Sequence, residues 1–353
     1  MDTLSKNNRN TNQDSSSFNM RKGRWKAVNL NGPFAPRDGA GLLSFKGKLW
    51  LLGGWNPKDK INFPNNCNSE VWSSLDGTLW KCEVTAAPWE GRHTAGYAVH
   101  DNKMWIIGGD CIQGRYQPDV WSSENGIDWV LVNDNVPWGQ RALHHTTVFK
   151  DRIWVMGGQT VPGFVPSEPR TIYYNDVWCS SDGKFWDQVT SDAGWEPRGM
   201  IGNNAVFNDR MWIIGGGTYD TPEFPIRKYF NDVWSSSDGT NWECHTKNCP
   251  WQGRQYHEIA AFDGCLWVME GFDGVFKIKG PDGLVKNKNP DGSGNLKDVW
   301  YSTDGVNWFE LPGTPWLPRH AASVTVHNNA LWMVMGNNMT PDVWKLEFES
   351  TYL

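Results

Sequence analysis

Three short stretches carry the side chains best suited to chemistry: "RALHH" ending at His145, "RQYHE" ending at Glu258, and "VMEG" containing Glu270. Together they supply His144, His145, Tyr256, His257, Glu258 and Glu270. Imidazoles and carboxyl groups that share a partly dry pocket are suited to general acid–base catalysis, because neighbours set one group as proton donor and another as acceptor. His145, His257, Glu258 and Glu270 are the expected proton-moving residues, with His144 and Tyr256 beside them. The competing reading is that each group hydrogen-bonds a neighbouring element inside the core. A metal centre is not expected. His144 and His145 are adjacent on a strand and point to opposite faces, so only one of them would reach a metal shared with His257. The pair in "CHTKNC", Cys244 and Cys249, matches no standard zinc spacing.

These residues stand out because they break a repeat. The phrase "NDVWSSSDGTNW", Asn231 to Trp242, is echoed by copies ending at Trp80, Trp129, Trp186 and Trp308, and by a truncated "PDVW" ending at Trp344. Each unit opens on a turn that ends in arginine, at Arg37, Arg92, Arg141, Arg198, Arg254 and Arg319, with spacings of 55, 49, 57, 56 and 65 residues. A run of small and apolar residues follows. Then come a short turn, an "LWLLGG"-like run, a variable loop, and "DVWSS" with "DGxxW". The fourth residue after each arginine reads Gly41, Gly96, His145, Gly202, Glu258 and Ser323, and the third reads Ala40, Ala95, His144, Ile201, His257 and Ala322. Glu270 replaces the first glycine of a double glycine.

The elements that position these groups are strands. The apolar runs are about four to eight residues long, rich in β-branched and aromatic residues, and bounded by Gly, Asn, Asp or Pro, with no helical period. Each unit therefore reads as four antiparallel strands. Six such units bury both faces only when set radially about an axis, which predicts an all-β, six-bladed β-propeller. Of the 24 tryptophans, 23 fall at repeated positions, as expected of wedges between blades. Trp25, in "KGRWKAV", matches an outermost strand but precedes the first arginine, while the last unit lacks that strand. The N-terminal strand is therefore expected to complete the last blade and leave no open seam. Residues 1–20 read as a disordered polar tail and 21–353 as a single propeller.

The double glycines (Gly53-Gly54, Gly108-Gly109, Gly157-Gly158, Gly215-Gly216), each followed downstream by an acidic-Val-Trp and a second tryptophan, resemble the kelch-type β-propellers from Gly23 to about Phe348. That family includes protein-binding modules, copper oxidases of galactose and, among six-bladed rings, bacterial sialic-acid epimerases. The likeness to the epimerases is one of architecture. "SSSDGTNW" also looks like the Asp-box of sialidases, a structural turn on the outside of a blade.

A propeller places its arginine turns and variable loops on one face, and variable loops on a rigid frame are where binding resides. Arg92, Arg141, Arg198, Arg254 and Arg319 are expected there as ligand-binding groups, with Arg141 and Arg254 suited to clamp a carboxylate. The alternative is pairing within the ring, since Glu70, Asp119, Asp176, Asp232, Asp298 and Asp342 recur one for one with the six arginines. The loops add Arg115 and Arg227 as further ligand contacts, alongside Asp110, Tyr116, Glu168, Arg170, Tyr173, Asp220, Lys228 and Asp273.

The net charge of −6 and the absence of a basic stripe argue against a nucleic-acid partner, and no apolar run is long enough to suggest a membrane span. Seven cysteines at mostly non-matching registers suggest a reducing, cytoplasmic setting. No cofactor is implied. Three functions remain open: a small-molecule enzyme, an isomerase, epimerase or lyase acting by acid–base chemistry on a sugar-like or carboxylate substrate; a non-catalytic kelch module gripping a protein partner on its loop face; and a purely structural ring.

Overall fold

The computed structural model describes residues 23–112, 115–161, 171–199, 205–219, 227–281 and 283–348. The proposed tail, residues 1–20, lies outside these, as do Glu168, Arg170, Ile201, Gly202 and Asp220.

Six four-stranded antiparallel sheets form the blades of a β-propeller. The innermost strands are Gly41–Phe45, Gly96–His100, His145–Phe149, Val206–Phe207, Glu258–Phe262 and Ser323–His327. The "LW"-type strand pairs outside each of these, then the "VW" strand, then the strand after "DGxxW". In blade six the outer place is taken by Gly23–Asn29, which runs antiparallel to Val343–Phe348 with Trp25 opposite Leu346. Even the bulge is reproduced. Blade one pairs Val71 with Val84 and Trp72 with Cys82, and blade six pairs Val343 with Asn29 and Trp344 with Ala27. The extra residue in the outer strand increases local twist at the same place in both.

Each tryptophan position has its own task. In all six blades the second-strand tryptophan turns its indole N–H back to a carbonyl five residues earlier, as Trp50 does to Phe45 and Trp332 to His327, which locks the inner hairpin. The tryptophan of "DGxxW" meets the aromatic residue three before the arginine edge-on. The pairs are Trp89–Trp129, Trp138–Trp186, Trp195–Trp242 and Trp251–Trp308, with ring centroids 5.8–6.1 Å apart. Phe34–Trp80 at 5.3 Å and Trp25–Trp316 at 4.7 Å complete the set, so Trp25 fills the post that blade six lacks. Edge-to-face geometry sets the electropositive ring edge on the neighbour's π-face.

The "SSSDGTNW" turn is built by its own side chains. Ser236 Oγ accepts from Gly239 N at 2.8 Å, and Asp238 Oδ1 accepts from Thr240 N and Asn241 N. Gly239, at φ +78°, lies flat on the Trp154 ring of the preceding blade, where a Cβ would collide. Gly77, Gly126, Gly183 and Gly305 repeat this contact on Trp332, Trp50, Trp105 and Trp212. At the remaining junction Trp267 packs on Phe348 and Tyr301 instead.

Blade four carries one more residue than blade three between its arginine and the following turn. Trp212 N donates to Ala205 O, so Ala205 holds the place of Thr147, which pairs with Trp154. The extra residue falls between Gly199 and Ala205, so the matching of Ile201 and Gly202 with His144 and His145 lies outside the described residues. Among the described residues, no helix is long and apolar enough to cross a membrane.

Candidate functional site

The six arginines do not open onto the axis. Each is buried and pairs within its own blade: Arg37 with Glu70, Arg92 with Asp119, Arg141 with Asp176, Arg198 with Asp232, Arg254 with Asp298 and Arg319 with Asp342, at 2.5–2.7 Å. Nη1 also donates to the carbonyl at the first position of the double-glycine motif, as Arg92 does to Gly108 and Arg254 to Glu270. In five blades the same acid accepts the indole N–H of the tryptophan two residues on. Through these bonds each guanidinium stitches the arginine turn to the second and third strands.

Of the residues that broke the repeat at the third and fourth places after the arginine, His144 and His257 pack within the body of the ring. His144 is buried against Trp138, its Nδ1 2.9 Å from Thr146 Oγ1. His257 reaches the preceding blade, Nε2 to Ile214 O at 2.8 Å. Burial first, and then the nearby arginine, lower both imidazoles to about 3, so they stay neutral. His145 and Glu258 begin their inner strands opposite Met156 and Met269, each 1% exposed. Glu270 is fully buried at φ +51°, a left-handed conformation that four other blades assign to glycine, and Oε1 accepts from Ala322 N. Burial, reinforced by Glu258, pushes its carboxyl well up. Arg115 sits on a loop hairpin, paired with Glu90 at 2.5 Å and mostly exposed.

The open cup lies one step nearer the arginines. The residue directly after each arginine (Asp38, His93, Ala142, Gly199, Gln255, His320) faces the residue directly after each double-glycine position (Trp55, Asp110, Gln159, Gly217, Phe272, Asn337). In five blades the two exchange backbone hydrogen bonds, as Asp38 and Trp55 do at 3.1 and 3.0 Å; in the sixth, Asn337 N donates to His320 O at 3.0 Å. Beneath them runs a collar. Gly39 N donates to Ala321 O, Thr94 N to Gly39 O, Leu143 N to Thr94 O and Ala321 N to Tyr256 O. These five residues, second after their arginines, all have φ between +52° and +57°. The left-handed turn aims each N–H at the neighbouring blade, which holds the upper side chains in a fixed circle.

Above the collar is a cavity of about 570 Å³ lined by Asp38, Trp55, His93, Thr94, Tyr219, Arg227, Tyr256, Phe272 and His320 among others. Tyr256 and Arg227 are the two expected site residues it contains. Trp55 stacks on His93 at 5.6 Å, and Tyr256 stacks on His320 at 5.0 Å and tilts against Tyr219. His93 Nδ1 meets Asp110 Oδ1 at 3.1 Å, and Thr94 Oγ1 donates to the same oxygen at 2.6 Å. Asp38 is 5% exposed, and among the described residues its carboxyl has no hydrogen-bond donor. Burial raises it to about 7, with His93 opposing and Asp110 adding to the rise. Burial likewise raises Asp110. Among the described residues no group of three His, Cys, Asp or Glu side chains is placed to hold a metal ion.

Asp38, His93, Trp55, Phe272 and His320 were missed because the repeat was compared at the wrong offset. The signal was present: of all places in the unit, the first after the arginine is the one that reads acid, imidazole, methyl, hydrogen, amide and imidazole in turn. The chain matches no protein-family model and no curated protein. Fold and site together define a six-bladed β-propeller with an aromatic-walled cup on its loop face.

Proposed function

We propose that this propeller binds a small polyhydroxylated or carboxylate-bearing molecule in the cup and carries out general acid–base chemistry on it, of isomerase or lyase type. The observation that carries the reading is Asp38, a nine-tenths-buried carboxyl lining a cavity, with no donor among the described residues. Leaving a buried polar group unsatisfied costs about 1–3 kcal/mol, so such a group is kept where a ligand completes it. The raised carboxyl is a proton donor near neutrality, and His93, oriented by Asp110, is the acceptor. In this scheme His93 Nε2 removes a proton from a carbon beside a carbonyl or carboxyl group, Asp38 returns one, and exchange with water restores both. Trp55, Tyr219, Tyr256 and Phe272 offer flat faces to a ring, and Arg227 sets a positive charge at the wall. The kelch kinship suggested by the double glycines belongs to the same proposal, as does a reducing, cytoplasmic setting, which seven unpaired cysteines support.

A second reading, a module that grips a protein, draws on one feature. The hairpin of Lys277–Lys279 and Val285–Asn287 exposes Phe276, Ile278, Leu284 and Val285 beside the cup. A thermal-shift screen of sugars, sugar acids and hydroxy acids separates the two. The enzyme reading expects a compound that stabilises the native chain, loses its effect on His93→Gln, and exchanges a carbon-bound proton with D₂O only when Asp38 and His93 are intact. Hits that bind His93→Gln and Asp38→Asn as well as the native chain, with no exchange, refute it.

A further inference from the structure

Two histidines face the cup, His93 from blade two and His320 from blade six, with Asp38 of blade one between them in ring order. Their tautomers follow from hydrogen bonds alone. The backbone N–H of His320 can only donate, and it lies 3.1 Å from Asn337 Oδ1. That fixes the Asn337 atom as oxygen, so the Asn295 group 3.0 Å from it is Nδ2–H. The other Asn295 atom is then oxygen, and it lies 2.7 Å from His320 Nδ1. An amide oxygen only accepts, so Nδ1 carries the proton and Nε2 keeps its lone pair. Asn295 is 2% exposed and its backbone carbonyl is held by Asn289 Nδ2 at 2.8 Å, so the residue is anchored from behind. His93 Nδ1 lies 3.0 Å from the Asp110 backbone oxygen, which can only accept, so it too is protonated at Nδ1, with Asp110 Oδ1 at 3.1 Å beside it.

The partners differ in charge. We propose that Asn295 and Asp110 are positioning residues that divide the work of the two imidazoles: Asn295 keeps His320 a permanently neutral acceptor that takes a hydrogen bond from the ligand at Nε2, and Asp110 makes His93 the imidazole that takes the ligand's proton. An amide oxygen offers an imidazolium a dipole, whereas a carboxylate offers it a charge. Around His320 stand Tyr256, Phe272, Asn295 and Asn337, and burial alone lowers it to about 3. His93 faces Asp110, Asp38 and the Cys67 thiol, under the Trp55 ring. The division of work rests on the acid–base reading above; the tautomers do not.

The test is long-range ¹H–¹⁵N correlation on full-length, ¹⁵N-histidine-labelled chain from about pH 5 to about pH 8. The native His320 is expected to show one Nδ1–H tautomer throughout. Asn295→Asp is expected to bring a His320 titration into that window, and Asp110→Asn to abolish exchange of a bound compound's carbon-bound proton with D₂O while it still folds. A native His320 that is protonated at Nε2, or that titrates above about pH 5, overturns the proposal without any variant. If the tautomers hold but no compound of the screen moves either Nε2 resonance, the acid–base reading fails and the division of work falls with it. If turnover is found with His320 in the other tautomer, only the present proposal falls.

Discussion

Replacing Asp38 by asparagine should make the protein more stable, increasingly so as pH rises. The folded-state carboxyl titrates at about 7 against 3.8 for a free side chain, chiefly because burial opposes the charge. Below the free value both states are protonated and the raised carboxyl costs nothing. Between the two values the unfolded chain has lost its proton while the folded chain retains it, so stability falls as pH rises through this window and levels off above the folded value. The full shift corresponds to about 4 kcal/mol, since one pKa unit is about 1.4 kcal/mol. Asparagine has the same shape and no charge to desolvate, so about 3–4 kcal/mol should be recovered at pH 8 and close to none at pH 4. At about 2 cal/mol/K per residue the unfolding entropy of the ring is roughly 0.7 kcal/mol/K, so the midpoint should rise by about 4–6 °C at the higher pH. Differential scanning calorimetry of both proteins across this range is the assay. Equal midpoints at pH 8, or an offset that does not change with pH, would refute the argument that Asp38 is a desolvated acid. A gain in stability with loss of ligand binding is the pattern expected of a site residue.

Three further outcomes follow from the packing. Asp298→Ala strands the buried Arg254 guanidinium and should cost about 3–5 kcal/mol in urea unfolding. Burial opposes ionisation of Asp298, but the hydrogen bonds and charge of Arg254 outweigh it and hold the carboxyl low, so the native pair's contribution is present above the usual carboxylate range and is lost as pH falls through the depressed value. Gly183→Ala forces a Cβ at φ +70° into the Trp105 ring and should cost about 2–4 kcal/mol, read as a lowered thermal midpoint. Glu270→Gln should stabilise the protein at neutral pH, with the gain shrinking toward pH 4, because its raised carboxyl obeys the same sign rule as Asp38; a calorimetric gain independent of pH would contradict this.

By itself the sequence determined the ring. Six arginines spaced with six acids, and tryptophans at fixed offsets, leave one arrangement in which every blade face is covered. Trp25 at the N-terminal end and the missing outer strand at the other end announce the closure that Gly23–Asn29 makes. Such features are periodic, and a period survives in one dimension. It also foretold, as one of two alternatives, that the arginines pair within the blades. Which register opens onto the axis was decided in three dimensions. His144 and His257 are only two residues along the chain from Ala142 and Gln255, yet they turn into the body of the ring, because the left-handed collar turns the backbone between the first residue after the arginine and the third. That turn depends on hydrogen bonds to the neighbouring blade. The same holds for the pairing of His320 with Asn295, and of His93 with Asp110: partners that the loops bring together across 25 and 17 residues carry no mark of one another in the chain.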